Sequence, residues 1–169
     1  MNILAGKFGG RKIKTSQKLR YRPTKSRVRK SLFDHLSPFA FNSVLDLFSG
    51  SGIFGFEAAS RGASSITFVE KETTIFNLLK QNAKLLAGPD YVFHRSDVFG
   101  YLNRCETYDL IFADPPYSKY DMVPLVERVL QHLNKKGKFI LECEKNQVPF
   151  MDADVRDYGQ TRILYWENA

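Results

Sequence analysis

Hydrophobic positions along this chain form short apolar runs separated by stretches of helical period. The runs at 43–48, 65–70, 91–95, 108–113 and 137–143 have the length and the β-branched or aromatic content of buried strands. Between them, 53–61, 73–87 and 122–133 carry apolar residues three and four apart and read as helices, with a short helical turn near 98–103. Gly62 and Gly88 stand just beyond two of these patterns, where a helix stop is expected. Such alternation predicts an α/β, Rossmann-like domain: a mostly parallel central sheet with helices on both faces. Residues 154–167 depart from it, since two strands around Gly159-Gln160 predict a C-terminal antiparallel hairpin closing the sheet.

The segment before Ser43 has another character. Residues 2–14 alternate loosely around Gly6, Gly9 and Gly10 and read as a β-ribbon or extended arm. Pro23-Thr24 then opens a helix whose Val28, Leu32, Phe33 and Leu36 make one apolar stripe. Arg27 and Lys30 fall off that stripe, so the helix can dock on the core while presenting cations outward. Charge sharpens the distinction. Residues 1–33 hold 11 Lys or Arg and no acid, whereas the remainder carries 14 basic and 18 acidic residues, within a net charge of +7. A block of this kind is the footprint expected for phosphate-backbone binding, with a solvated arm as the bland alternative. The division predicts a basic N-terminal extension over 1–38 and a second unit over 39–169.

At 169 residues the chain can bury one sizeable core. It has no apolar run of membrane-span length and no apolar signal-peptide core, so a cytoplasmic protein is expected. Cys105 and Cys143 lack metal-ligand spacing and are expected to be reduced thiols. His35, His94 and His132 are scattered, and no metal site is expected.

Candidate chemistry begins at Asp114-Pro115-Pro116-Tyr117, directly after the apolar run Leu110–Ala113. This places it at the carboxyl end of a strand, where open α/β sheets hold their ligands. Two prolines stiffen the turn and remove two N–H donors, leaving carbonyls free as acceptors. An aspartate, a rigid carbonyl and an aromatic ring suit a flat group bearing NH2: two acceptors take its hydrogens and the ring stacks on its plane. That describes the exocyclic amine of a nucleobase.

A second cluster spans Asp46 to Gly55. Gly50, Gly52 and Gly55 match G-x-G-x-x-G between a strand and a helix, and Glu70 ends the next strand where an acid can grip ribose hydroxyls. The glycine pattern alone fits a dinucleotide site or an unliganded tight turn. Asp46 disfavours a pyrophosphate, whereas S-adenosylmethionine has no phosphate and carries an ammonium and a sulfonium that acids would help. Asp97, after the third strand, can accept from the adenine amine; its alternative role is a helix N-cap.

With these residues in view, the chain resembles a class I S-adenosylmethionine-dependent methyltransferase. More narrowly, it resembles the bacterial small-subunit ribosomal RNA guanine-N2 methyltransferase family, often called the RsmD family. The resemblance rests on Ala5-Gly6 to Arg11-Lys12, Arg22-Pro23-Thr24 to Arg27-Val28-Arg29, Leu45 to Gly52, Val69-Glu70 and Asp114 to Tyr117. It implies methylation of a guanine N2 amine in 16S ribosomal RNA, either as RNA or within the small subunit or its assembly intermediate; separately, a monomer is expected. Asp114, Pro115 and Tyr117 would be catalytic. Asp46, Phe48, Ser49, Gly50, Gly52, Glu70, Lys71, Asp97, Val98 and Asp114 would bind the cofactor. Lys7, Arg11, Lys12, Arg20, Arg22, Lys25, Arg27 and Arg29 would bind RNA. Ser26 and Lys30 stand where the family usually has acids, so the Arg–carboxylate pairs usual on that helix are expected to be absent.

Three alternatives belong to other classes. An adenine-N6 methyltransferase of DNA or RNA can share both motifs, because both bases present NH2 on an aromatic ring. A non-catalytic RNA-binding ribosome-assembly protein could retain the fold. An NAD-dependent dehydrogenase is disfavoured by Asp46 and by the lack of a placed proton donor.

Overall fold

The computed structural model describes residues 1–16, 26–116 and 119–169. The expectations placed on Arg20, Arg22, Lys25 and Tyr117 therefore lie outside the described residues. Among those described, seven strands form one sheet: β1 (Ser43–Leu47), β2 (Ser65–Val69), β3 (Asp90–His94), β4 (Tyr108–Ala113), β5 (Leu133–Glu144), β6 (Asp154–Tyr158) and β7 (Thr161–Glu167). Their spatial order is β3-β2-β1-β4-β5-β7-β6. The first five run parallel. The terminal hairpin folds back so that β7, not β6, pairs with β5, and both of its pairings are antiparallel. β1 and β4, at the centre, are buried along nearly their whole length, as strands covered on both faces must be.

The helices are α1 (Ser26–His35), α2 (Ile53–Ser60), α3 (Thr73–Lys84), α4 (Val98–Leu102) and α5 (Met122–Leu130). One sheet face packs against α1, α2 and α3 through Phe33, Phe56, Phe68, Leu79 and Phe112. The opposite face packs against α4 and α5 through Leu102, Leu125, Val129, Phe139 and Trp166. Strand alternation sorts side chains between these layers, so Val44, Leu110 and Phe112 face the first and Leu45, Leu47 and Ile111 the second.

The N-terminal residues join the first layer. Asn2 and Lys12 make an antiparallel bridge, and Gly6 and Gly10 turn with positive φ. Ile3, Phe8 and Ile13 are each only 1% exposed. Burying side chains of this size stabilises by roughly 1.5–3 kcal/mol each, which offsets part of the ribbon's ordering entropy and leaves its hydrogen bonds to contribute the rest. The ribbon is held by α2: fully buried Glu57 accepts from the Leu4 and Ala5 amides, and Ser60 Oγ accepts from the Phe8 amide. α1 points its N-terminus toward the carboxyl ends of the parallel strands. Ser31 meets the Tyr158 hydroxyl at 2.9 Å beside the end of β5, whereas His35 packs on Tyr165, opposite mid-strand Ile140.

Three boundaries differ from the sequence expectation by three residues or more. α5 stops at Leu130 rather than near 133, and β5 starts at Leu133 rather than at 137. Leu133 pairs with Tyr108 and Lys138 with Leu110, so β5 bulges between them. Lys136 there adopts φ 62°, and a β-carbon on Gly137 would lie 2.8 Å from the Asn134 carbonyl oxygen. Helical spacing could not reveal a strand interrupted by such a bulge. α3 ends at Lys84 rather than 87, yet Leu86 beyond it remains fully buried.

Candidate active site

Asp114 follows the last residue of β4. Ala113 pairs with Leu141, so Asp114 stands beside Glu142 on β5. Asp46, two residues earlier on β1 in register with Phe112, projects to the same face. Three carboxylates therefore converge under α1 and α2, with Asp46 2% and Glu142 4% exposed. The ionisation of Asp114 is pushed well up, first by burial and then by Glu142 and Asp46. Burial likewise raises Asp46 to about 8, opposed by the Gly55 amide and reinforced by Glu70. Like charges in a low-dielectric site disfavour one another, so protons are retained here that water would remove. Pro115 is buried and Pro116 exposed, so the turn after Asp114 is anchored at its first proline.

The glycine loop is built from below. α2 has Gly52 at its N-cap and hence no capping side chain. Asp46 supplies the missing acceptor: its Oδ2 takes the Gly55 amide at 3.0 Å from the end of β1. Ser49 ties the loop to β2, donating its hydroxyl to the Asp46 carbonyl at 2.5 Å and accepting from the Val69 amide at 2.9 Å. A β-carbon on Gly52, where φ is 82°, would lie 2.4 Å from Leu79 Cδ1, and one on Gly55 2.3 Å from Phe68 Cε1. Asp46, Ser49 and Gly52, expected to bind the cofactor, do not line the cavity; they brace the loop that does. Phe48, a non-glycine at φ 54°, faces the cavity.

That cavity, of about 950 Å³, lies over the carboxyl ends of the first four strands. Among the described residues, Phe48, Gly50, Glu70, Lys71, Asp97, Val98 and Asp114 of the expected set line it. Glu70 accepts the Gly50 and Glu72 amides, both at 2.9 Å, which fixes its carboxylate between the loop and the end of β2. Asp97 fills the N-cap role considered for it and also lines the cavity. Its Oδ1 caps α4 through the Phe99 amide at 3.0 Å, and its Oδ2 turns toward Lys71 at 3.7 Å and Tyr120 Oη at 3.4 Å.

Two residues escaped the sequence reading. Glu142 was visible as an acid inside the apolar run Phe139–Cys143, a signal that could have marked it. Tyr120 forms an aromatic wall with Phe48 at 5.0 Å and Phe99 at 6.1 Å, a grouping that only folding creates. One expectation is corrected: Arg29 is 2% exposed, donates to the Asn2 carbonyl at 2.7 Å and lies 3.8 Å from Glu57. It braces the ribbon and is not available to RNA, because it falls on the buried side of α1 beside Val28. Lys7, Arg11, Lys12 and Arg27 are exposed.

Among the described residues, no group of His, Cys, Asp and Glu could hold a metal ion, and no helix is long and apolar enough to cross a membrane. Cys105 and Cys143 are free thiols.

Residues 1–167 match the protein family described as Conserved hypothetical protein 95. Ribosomal RNA small subunit methyltransferase D of Buchnera aphidicola subsp. Acyrthosiphon pisum is 38% identical over 154 residues, spanning 86% of this chain and 78% of that protein. The solved structure of the putative methyltransferase yhhF from Escherichia coli superposes with a TM-score of 0.87 at 25% identity, over 99% of this chain and 97% of that one. A hypothetical protein of Thermus thermophilus gives 0.85 at 30% identity, over 98% of each chain. The sheet order and the acids at its strand ends thus sit on a class I methyltransferase fold, and the chain belongs to the Conserved hypothetical protein 95 family, the RsmD family that its motifs resemble.

Proposed function

We propose that this protein transfers a methyl group from S-adenosylmethionine to the exocyclic N2 amine of a guanine in 16S ribosomal RNA, acting in the cytoplasm on the RNA or on the small subunit being assembled. The observation carrying this reading is Asp114: a buried-side carboxylate on a proline-stiffened turn, opening on a cavity bounded by Glu70 and Asp97. Homology supports it through a relative named for ribosomal RNA methylation.

The cavity suits the donor. Its volume accommodates a nucleoside with an amino-acid arm. Glu70, already fixed by two amides, would hold the ribose hydroxyls, and Asp97 Oδ2 the adenine amine, with Val98 beneath the ring. Gly50 lets the backbone approach closely, and Phe48 and Lys71 close the sides. When bound, S-adenosylmethionine supplies an electrophilic methyl carbon on a sulfonium.

The chain's part is mainly orientation and charge. The Asp114 carboxylate and the Pro115 carbonyl would each accept one N–H of the guanine amine, aiming its lone pair at the methyl carbon. As the methyl carbon moved to the amine, its bond to sulfur would break and leave a neutral thioether; Asp114 would stabilise the positive charge developing on nitrogen and, in its ionised form, take the departing proton. Its raised proton affinity makes it a stronger base than a solvated aspartate once it is ionised. Tyr117 would stack on the base, which must leave its own stack to enter. Residues 1–38 would grip RNA through the exposed cations Lys7, Arg11, Lys12 and Arg27, with Arg20, Arg22 and Lys25.

The test is transfer from labelled S-adenosylmethionine to unmodified small subunits, free 16S RNA and duplex DNA, followed by nucleoside analysis. The expected product is N2-methylguanosine in the particle or its RNA. Label confined to adenine would move the protein to the adenine-N6 class, and cofactor binding without label in any substrate would refute the catalytic reading.

A further inference from the structure

The positive charge of the N-terminal ribbon continues onto α3. The ribbon lies along that helix: the Lys14 amide donates to Asn82 Oδ1 at 2.8 Å, and Asn82 Nδ2 returns a bond to the Lys14 carbonyl at 3.0 Å. Arg11 donates to the Leu85 carbonyl at 2.8 Å, and Lys14 Nζ reaches Gln81 Oε1 at 3.4 Å. Lys7 Nζ lies 2.8 Å from where a β-carbon on Gly88 would sit. α3 turns Ile75, Leu79, Asn82 and Ala83 inward and leaves Lys80 and Lys84 exposed on its outer side. Ribbon and helix thereby form one surface bearing Lys7, Arg11, Lys12, Lys14, Lys80 and Lys84.

Neither the ribbon nor the body of α3 supplies a compensating acid: 1–33 and 73–88 include no Asp or Glu. Solvated helix faces usually intersperse both signs, and like charges four apart, as at Lys80 and Lys84, weaken a helix slightly. Arg11 and Lys84 are accounted for in part by the carbonyl end of α3. The collective repulsion of six cations is not, and it is relieved by a polyanion. The heads are exposed and spread along two elements instead of converging on a pocket, so the geometry fits an extended phosphate backbone and not a single small anion.

We propose that the outer face of α3, through Lys80 and Lys84, extends the ribbon's cations into a single phosphate-binding surface for the RNA substrate, set apart from the methyl-transfer cavity. The inference rests on the RNA reading above.

The experiment is K80E/K84E in the full chain, with K80Q/K84Q as the milder pair. Affinity for unmodified 16S RNA is measured across salt concentrations, alongside S-adenosylmethionine affinity, melting temperature and transfer kinetics. The expected result is at least a tenfold loss of RNA affinity for the charge reversal and a smaller loss for K80Q/K84Q. The slope of log K against log salt should shrink by about 1.5, as for two lost phosphate contacts. KM should rise with kcat, cofactor affinity and melting temperature held. Unchanged affinity and slope in both variants, with wild type binding RNA normally, would overturn this surface while leaving the methyltransferase reading intact. A wild type that neither binds nor methylates RNA would overturn both. Binding of phosphatidylserine vesicles in place of RNA, lost in the same variants, would reassign the surface to membranes and overturn the proposal.

Discussion

Asp46 and Asp114 end neighbouring strands, face the same side of the sheet and are both made reluctant to ionise, yet their positions assign them different work. Asp114 opens on the cavity. Replacing it by Asn keeps an acceptor but removes the group that can take a proton. D114N should therefore lower kcat about 10²–10⁴-fold while S-adenosylmethionine affinity stays within a few-fold, measured by single-turnover transfer and calorimetry. Wild-type turnover by D114N would remove Asp114 from the chemistry. Asp46 instead caps α2 from beneath. Unfolded, it loses its proton near 3.8; folded, it keeps it to about 8. Between those values the folded state binds more protons than the unfolded state, so stability falls as pH rises from about 4 to 8. D46N cannot ionise and still offers Gly55 an oxygen. Its denaturation midpoint should fall less between pH 5 and pH 8 than the wild-type midpoint does, with a residual slope from Asp114. Parallel pH curves would refute this account of Asp46.

At the level of elements, α2 has the most dependants. Its N-terminus shapes the glycine loop, and its second half holds the ribbon through Glu57 and Ser60. Glu57 also pairs with Arg61 at 3.0 Å and lies 3.8 Å from buried Arg29. Removing one partner of a buried pair leaves a charge uncompensated, so E57A should cost about 3–5 kcal/mol in chemical denaturation. It should also speed amide exchange at Leu4, Ala5 and Phe8 before the sheet is affected. A loss under about 1 kcal/mol with an intact ribbon would show that the apolar contacts of Ile3, Phe8 and Ile13 suffice. The elements themselves were largely legible, because apolar runs and terminal glycines report local requirements. What escaped was non-local: the β5 bulge depends on pairing with Tyr108, and the burial of Arg29 on Glu57, twenty-eight residues away.

For the molecule as a whole, charge and chemistry are separated. Acid-rich strand ends carry the cavity, and the ribbon with α3 carries the cations. RNA affinity should accordingly fall roughly 10³-fold between 50 and 200 mM salt if about six phosphates are contacted, while cofactor affinity changes little. A salt-independent RNA affinity would mean that the cations are solvated bystanders. The sequence by itself determined the strand–helix alternation, the closing hairpin, the cysteine-poor single core, the acid at each strand end and the charge asymmetry. Each of these is a property of composition or short-range period, which neighbours along the chain impose. Only the tertiary structure decided that Asp46 and Ser49 brace the loop, that Glu142 and Tyr120 join the site, that Arg29 is buried and that Lys80 and Lys84 face outward on the helix against which the ribbon lies. Those outcomes depend on which face a side chain takes and what arrives opposite it, and strand register and helix docking set both only once the sheet is assembled.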